Sequence, residues 1–179
     1  MASYHHGDLR RVLLSTAAEA IAESGPAALS LRELARRAGV SHAAPAHHFG
    51  DKAGLLTALA TQGFDLLADA LRQAGDDLLD TGVAYVGFAV RHRAHFDVMF
   101  RPELYRADDP ELVAARARSG EVLREGVARH TGREPDADAL AAWSIVHGFA
   151  TLWLSGALPP RVGDDPEAAA RTVIKRLFD

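Results

Sequence analysis

The chain has 179 residues, no cysteine and a formal net charge of −4. At roughly 150 residues per domain this means one domain, or a small one joined to a larger one, and enough chain to bury a core without staples. The missing cysteines exclude a disulfide framework and every thiolate-ligated zinc or iron site, and they suit a reducing cytoplasm. The most apolar stretch, Ile145 to Leu158, is broken by His147, Gly148 and Gly156. It falls short of the about 20 apolar residues of a membrane span. Residues 1–8 lack the basic-then-apolar pattern of a signal segment. A soluble cytoplasmic protein without a membrane span is expected. There are 35 alanines and 22 leucines against 15 valines plus isoleucines. Alanine and leucine lose little freedom in a helix, whereas sheets favour β-branched residues, so the expected class is all-α. Residues 1–62 carry six Lys/Arg, five Asp/Glu and five of the nine histidines, while residues 63–179 carry fourteen Lys/Arg and nineteen Asp/Glu. Proteins that bind nucleic acid over their whole surface are strongly basic, so here only the N-terminal part could meet DNA.

A first helix is expected from Asp8 to Ser24. Leu9, Leu13, Ala17 and Ile21 fall four apart, with Val12 and Ala20 beside them, and form one apolar stripe. Asp8 starts this helix and Gly25-Pro26 ends it. Ser30 to Glu33 is a capping-box pattern, in which the serine oxygen takes the amide three residues on and the glutamate reaches back. The short helix it opens turns Leu31, Leu34, Ala35 and Ala38 inward and stops at Gly39. After the Val40-Ser41 turn, Ser41 caps a third helix from about His42 to Phe49. Pro45 falls in its first turn, where a missing amide costs least. Asp51 caps a fourth helix, which carries Leu55, Leu59, Leu66 and Leu67 and runs to about Ala74. Further helices are expected over Asp77 to His92, with Val83, Val86 and Val90 on one side, and over His95 to Phe100. Pro110 to His130 is long and half apolar, with one wet face. A loop covers Gly132 to Pro135. A helix from Asp136 or Asp138 to Leu158 is closed by Pro159-Pro160. Asp165-Pro166 opens a last helix with Ala169, Val173 and Leu177 inward.

Two short helices around a glycine turn, Ser30 to Lys52, make a helix-turn-helix. Its second helix would enter a major groove while the first crosses the backbone. The run from Arg11 through Ala17-Ala18, Gly25, Ser30-Leu-Arg-Glu-Leu-Ala-Arg-Arg-Ala-Gly-Val-Ser-His42 and His48-Phe-Gly-Asp-Lys-Ala-Gly-Leu-Leu56 resembles the DNA-binding domain of TetR-type transcriptional regulators. Downstream, Trp143-Ser-Ile-Val-His147-Gly148 resembles a Trp…His-Gly signature in the C-terminal regulatory domain of one subgroup. The resemblance implies a helix-turn-helix DNA-binding domain over residues 1–52, joined by a long helix to a helical regulatory and dimerisation domain over 53–179. It further implies a homodimer on a palindromic operator, usually repressing, and released by a small-molecule effector.

Position by position, Ser30 would donate to a phosphate, helped by its helix N-terminus. Ser41, His42, Ala43 and Ala44 lie at the start of the recognition helix, where base edges are read. Alanine methyls offer only apolar contact, so hydrogen-bonded readout falls to His42 or to neighbouring residues. His47 and Lys52 match phosphate contacts, while His48 and Phe49 are expected to pack inside and fix the third helix to the first. Ala46 departs from the family, which most often has a phosphate-contacting tyrosine there. Losing such a bond costs about 1 kcal/mol. It keeps open a rival reading, a helical dimeric adaptor or sensor that has lost specific DNA binding.

In the helix from about Asp138 to Leu158, Trp143, His147, Ala150 and Leu154 share one face and Ile145, Phe149, Leu152 and Gly156 another. A helix with two apolar faces is buried on two sides. Ile145, Phe149, Leu152 and Gly156, with Val173 and Leu177 of the last helix, are therefore expected at a dimer interface, where Gly148 and Gly156 permit close approach. Tyr85, Phe88, His92, Phe96, Met99, Phe100, Trp143 and His147 mix aromatic surface with a few polar tips, as ligand pockets do. His92 and His95, three apart, have metal-ligand spacing but no convergent third ligand, so neither a metal nor a cofactor is expected. No Gly-x-Ser-x-Gly, phosphate-cradling loop or His-Glu-x-x-His is present, so no catalytic constellation supports an enzyme.

Overall fold

A computed structural model describes residues 6–132 and 136–176 of the chain. Its first helix, α1 (His6–Ala28), is interrupted at Gly25, whose φ of 75° and ψ of 164° are non-helical, and Pro26 follows. The expected stop is thus present. The start is earlier than expected, because the helix is already under way at His6 and Asp8 lies within its first turn. Leu13, Ala17 and Ile21 are buried, joined by Leu14 and Ala20, while Leu9 and Val12 are only half-buried.

In α2 (Leu31–Ala38) the Ser30 hydroxyl accepts the Glu33 amide at 3.2 Å, and Gly39 ends the helix in the left-handed conformation at φ 66°. Helix α3 (Ala44–Phe49) is shorter than expected: the Ala44 amide donates to the Ser41 carbonyl, so residues 41–44 form a turn and Ala43 is the N-cap. Ser41 is therefore not a side-chain cap. Pro45 sits in the first turn and is buried. Helix α4 (Lys52–Gln73) begins with the Asp51 carboxylate accepting the Gly54 amide at 2.8 Å. The helices α5 (Leu78–Arg91), capped by Asp77, α6 (Arg93–Met99) and α7 (Pro110–Thr131) follow, with a 3-10 turn at Pro102–Leu104 between the last two. Helix α8 (Asp136–Leu154) ends four residues before the expected Leu158, because Gly156 takes φ 70° and the Gly156 and Ala157 amides return to Trp153 and Leu152. The glycine stops the helix before the prolines are reached. After a 3-10 turn at Pro160–Val162 comes α9 (Pro166–Lys175), with Asp165 accepting the Glu167 and Ala168 amides. No strand occurs among the described residues.

The chain packs as two compact units, residues 1–63 with 94–113, and residues 64–93 with 114–179. In the first, Leu13, Ile21, Leu34, Leu55, Leu56, Leu59, Val98, Met99 and Leu112 form the core. In the second, α5, α8 and α9 pack together: a Cβ on Gly82 would touch Ile174 of α9 and Val146 of α8. The inward face of α9 is Ala169, Ala170 and Ile174, whereas Val173, expected inward, is exposed. Ala170 and Ile174 stand one turn apart, and Val173 is rotated by one residue from that line. Leu177 lies outside the described residues.

Candidate functional site

The elements around α3 present a polar, partly basic surface. Ser30, Ser41, His42, Ala43 and His47 are all exposed, and Ala44 is half-buried. Ser30, Arg32, Glu33, Arg36 and His42 line one open hollow of about 430 Å3. Arg32 and Arg36 were not singled out from the sequence. Their four-residue spacing on an otherwise inward-packed helix was the available signal, since it places both on the opposite face. Ala46 is exposed as well, so the side chain that alanine lacks is one that would have projected outward from α3.

Interactions within the unit fix how these side chains stand. Glu33 does not close the expected capping box. Its carboxylate holds Arg36 through two bonds, of 2.8 and 2.6 Å, and accepts from Arg37 at 2.9 Å, while Arg37 also reaches Glu23 at 2.7 Å. The hydrogen bonds from Arg36 and Arg37 lower the Glu33 pKa to about 2. Lys52 is half-buried and its ammonium donates to the Ala27 carbonyl at 2.9 Å, which ties the start of α4 to the end of α1. Two of its three donors remain for another acceptor. Phe49 is buried with the Arg10 guanidinium 5.4 Å above its ring, so α3 is pinned to α1. His48 is half-buried between the rings of His47 and Phe49.

In the second unit, Tyr85 of α5 meets Trp143 and His147, one turn apart on α8. Trp143 Nε1 donates to the Tyr85 oxygen at 3.2 Å, and that oxygen lies 2.9 Å from His147 Nδ1. An indole N–H can only donate, so the phenol oxygen accepts from Trp143, and the direction of its bond with His147 Nδ1 is set by the imidazole tautomer. Burial pushes the Tyr85 phenol up and the His147 imidazole down. His92 stacks on buried Phe88, with ring centroids 5.1 Å apart, and its pKa is lowered by burial and then by Arg91. The remaining pocket candidates, Phe96, Met99 and Phe100, belong to the first unit, where Phe96 packs edge-on to Phe100 and Met99 lies against Gly63.

The His92–His95 spacing does not put two imidazoles on one helical face: α5 ends at Arg91 with His92 as its cap, and His95 is bonded to Gln62 at 3.0 Å. No group of three or more potential metal ligands occurs among the described residues.

Of the expected interface residues, Phe149 is buried inside its own unit and Ile145 is half-buried, while Leu152 and Val173 are 47% and 42% exposed. Leu140, Ala141, Ser144, Thr151, Leu152 and Ser155 face solvent along one side of α8, with Gly148 half-buried among them. Gly156 lies beyond the helix, at its terminating turn.

Residues 13–59 match the model of the tetR family of bacterial regulatory proteins, and residues 78–177 match that of the tetracyclin repressor-like C-terminal domain. The HTH-type transcriptional regulator BetI of Escherichia coli O157:H7 is 27% identical over 180 residues, covering 91% of this chain and 89% of that protein. BetI of Rhizobium meliloti (strain 1021) is 34% identical over 108 residues, 59% of this chain, and the match spans 47% of that relative. A solved structure of a protein of unknown function from Rhodococcus sp. RHA1 superposes with a TM-score of 0.81 at 34% identity, covering 99% of this chain and 97% of that one. No described helix is long and apolar enough to cross a membrane.

Proposed function

The chain belongs to the TetR family of bacterial regulatory proteins, a transcriptional regulator and not an enzyme, and on that premise we propose that it is a repressor that binds a palindromic operator as a homodimer and is released by a small molecule. The observation that carries the DNA-facing part is the hollow lined by Ser30, Arg32, Glu33, Arg36 and His42, where Glu33 is already paired with Arg36 and Arg37. Cationic and hydroxyl groups converge there beside the turn that opens α3, as phosphate and base-edge contacts require. His42, Ala43 and Ala44 face the bases. Ser30, His47 and Lys52 meet phosphates, and Ser41 stands at the same end of α3.

The dimer reading rests on α8, where Ala139, Val146, Phe149 and Ala150 are buried on one side while the opposite, outward side exposes Leu140 and Leu152. A partner's α8 and α9 would cover that side together with Val173, and Gly148, with nothing within 4 Å of a Cβ there, leaves room for them. The effector reading rests on Tyr85, Trp143 and His147, a polar cluster on an aromatic wall, which is how small-molecule sites are commonly lined.

Selection of duplexes from random DNA by the full-length chain, followed by binding titrations over a range of salt concentrations, tests the reading. A two-fold-symmetric selected site is expected, with a modest salt slope of roughly 0.9 per phosphate neutralised. Recovery of no duplex above background would favour the dimeric adaptor.

A further inference from the structure

We infer that Arg106 is a positioning residue for the DNA-reading helices, gripping the α3–α4 junction from a segment that lies far along the chain. The inference rests on the DNA-binding reading above. Residues 94–113 pack with residues 1–63, yet on both sides, at 93 and at 114, the chain passes into the second unit. The segment is thus continuous in sequence with the second unit at both of its ends.

Arg106 holds the junction twice. Its backbone N–H donates to Thr57 Oγ1 at 3.0 Å, and its guanidinium donates to Asp51 Oδ2 at 2.9 Å. Thr57 is buried and gives its own hydrogen to the Ala53 carbonyl at 2.7 Å, so the hydroxyl is used in both directions. Asp51 is the hub. Its Oδ1 caps α4 at Gly54, its Oδ2 takes Arg106, and its own N–H returns to the carbonyl of Phe49, the last residue of α3. Displacing Arg106 therefore acts on the turn that sets the direction of α3. The segment is braced from behind: the Tyr105 hydroxyl donates to the Met99 carbonyl at 2.7 Å, and the Asp109 carboxylate caps α7. The two grips differ in strength. The Arg106–Asp51 pair is half exposed, with side chains 50% and 62% accessible, and such pairs are weak and easily exchanged for water. The bond to buried Thr57 is costly to break, because it would leave an amide unsatisfied.

The test uses the full-length chain and a duplex that the wild type selects from random DNA. Arg106→Ala and Asp51→Asn are each expected to weaken binding by roughly 1.5-fold to fivefold, the range of an exposed ion pair. The double variant should lose no more than either alone, because coupled partners are non-additive. Arg106→Lys should restore at least half of the loss. The salt slope should stay at the wild-type value throughout. A slope reduced by about 0.9 in Arg106→Ala would make the residue a direct phosphate contact, and that result, additive losses or unchanged affinity would each overturn the proposal. If the wild type selects no duplex, the regulator reading fails by itself and the grip is read from amide exchange. Arg106→Ala must then speed exchange at Asp51 and Gly54 while leaving α8 unchanged, and unaltered rates at the junction overturn it.

Discussion

Gly54→Ala tests whether the recognition helix is set by close backbone contact. Gly54 lies in the first turn of α4, and a Cβ there would fall on the Phe49 carbonyl oxygen, about an ångström inside the 3.0 Å that real Cβ atoms keep. It would also stand 3.1 Å from the Arg106 guanidinium. A guanidinium can swing aside, but a carbonyl at the end of a capped helix moves only if α3 moves. Overpacking costs typically 1–3 kcal/mol, and a backbone obstacle belongs at the upper end. The better helix propensity of alanine returns up to about 1 kcal/mol, leaving a net loss of about 2 kcal/mol. For a chain of this length that lowers the thermal midpoint by roughly 4–8 °C. Far-UV circular dichroism measures the midpoint, and amide exchange across residues 44–55 shows where the loss is felt. Gly120→Ala in α7 is the control: nothing lies within 4 Å of its Cβ, so it should raise the midpoint. Should Gly54→Ala match the wild type in midpoint and in exchange at the junction, the steric argument fails, and the angle of α3 is not fixed by this contact.

Three further outcomes are expected. Leu152→Asp should leave the subunit folded, because that side chain is already half exposed, yet shift sedimentation from dimer to monomer; a dimer of undiminished affinity would place the interface elsewhere. Because burial holds the folded His147 below its ordinary 6.5, the unfolded chain binds the extra proton. Stability should then be full above about pH 7 and decline as pH falls through 6.5 toward the folded value, and His147→Gln should flatten that decline in denaturant titrations. Lys52→Ala should reduce the salt slope of operator binding by about 0.9, since two ammonium donors remain beyond the one given to Ala27; an unchanged slope would confine Lys52 to joining α1 and α4.

What the sequence disclosed follows the range of the forces involved. Caps and stops depend on a few consecutive residues, so Ser30, Gly39, Asp51 and Asp165 could be read directly, and each acts in the structure as its type and position require. Ser41 misled because a turn closed by its backbone carbonyl took the place of its side chain. Gly156 was read as a packing surface, whereas its left-handed conformation ends α8 first. The inward face of α9 was assigned to Val173 because apolar character alone cannot separate a core face from a face left outward, and only the fit of Ile174 against Gly82 decides it.

The site divides in the same way. His42 and His47 were legible because they adjoin the turn, and their exposure is a local consequence of it. Arg36 carried a local signal, since Glu33 stands three residues before it on the same helix, whereas Arg106 was not legible because its carboxylate is brought to it by the fold. Glu33 holds Arg36 at the rim of the hollow, and Asp51 holds Arg106 across 55 residues of chain. A free arginine on α2 would sample many rotamers and lose entropy on meeting a phosphate. One already gripped by a bidentate carboxylate is pre-aimed but must exchange partners to bind. On the DNA-binding reading proposed above, affinity at this surface would depend less on the number of cations it carries than on how readily Glu33 yields Arg36 to a phosphate.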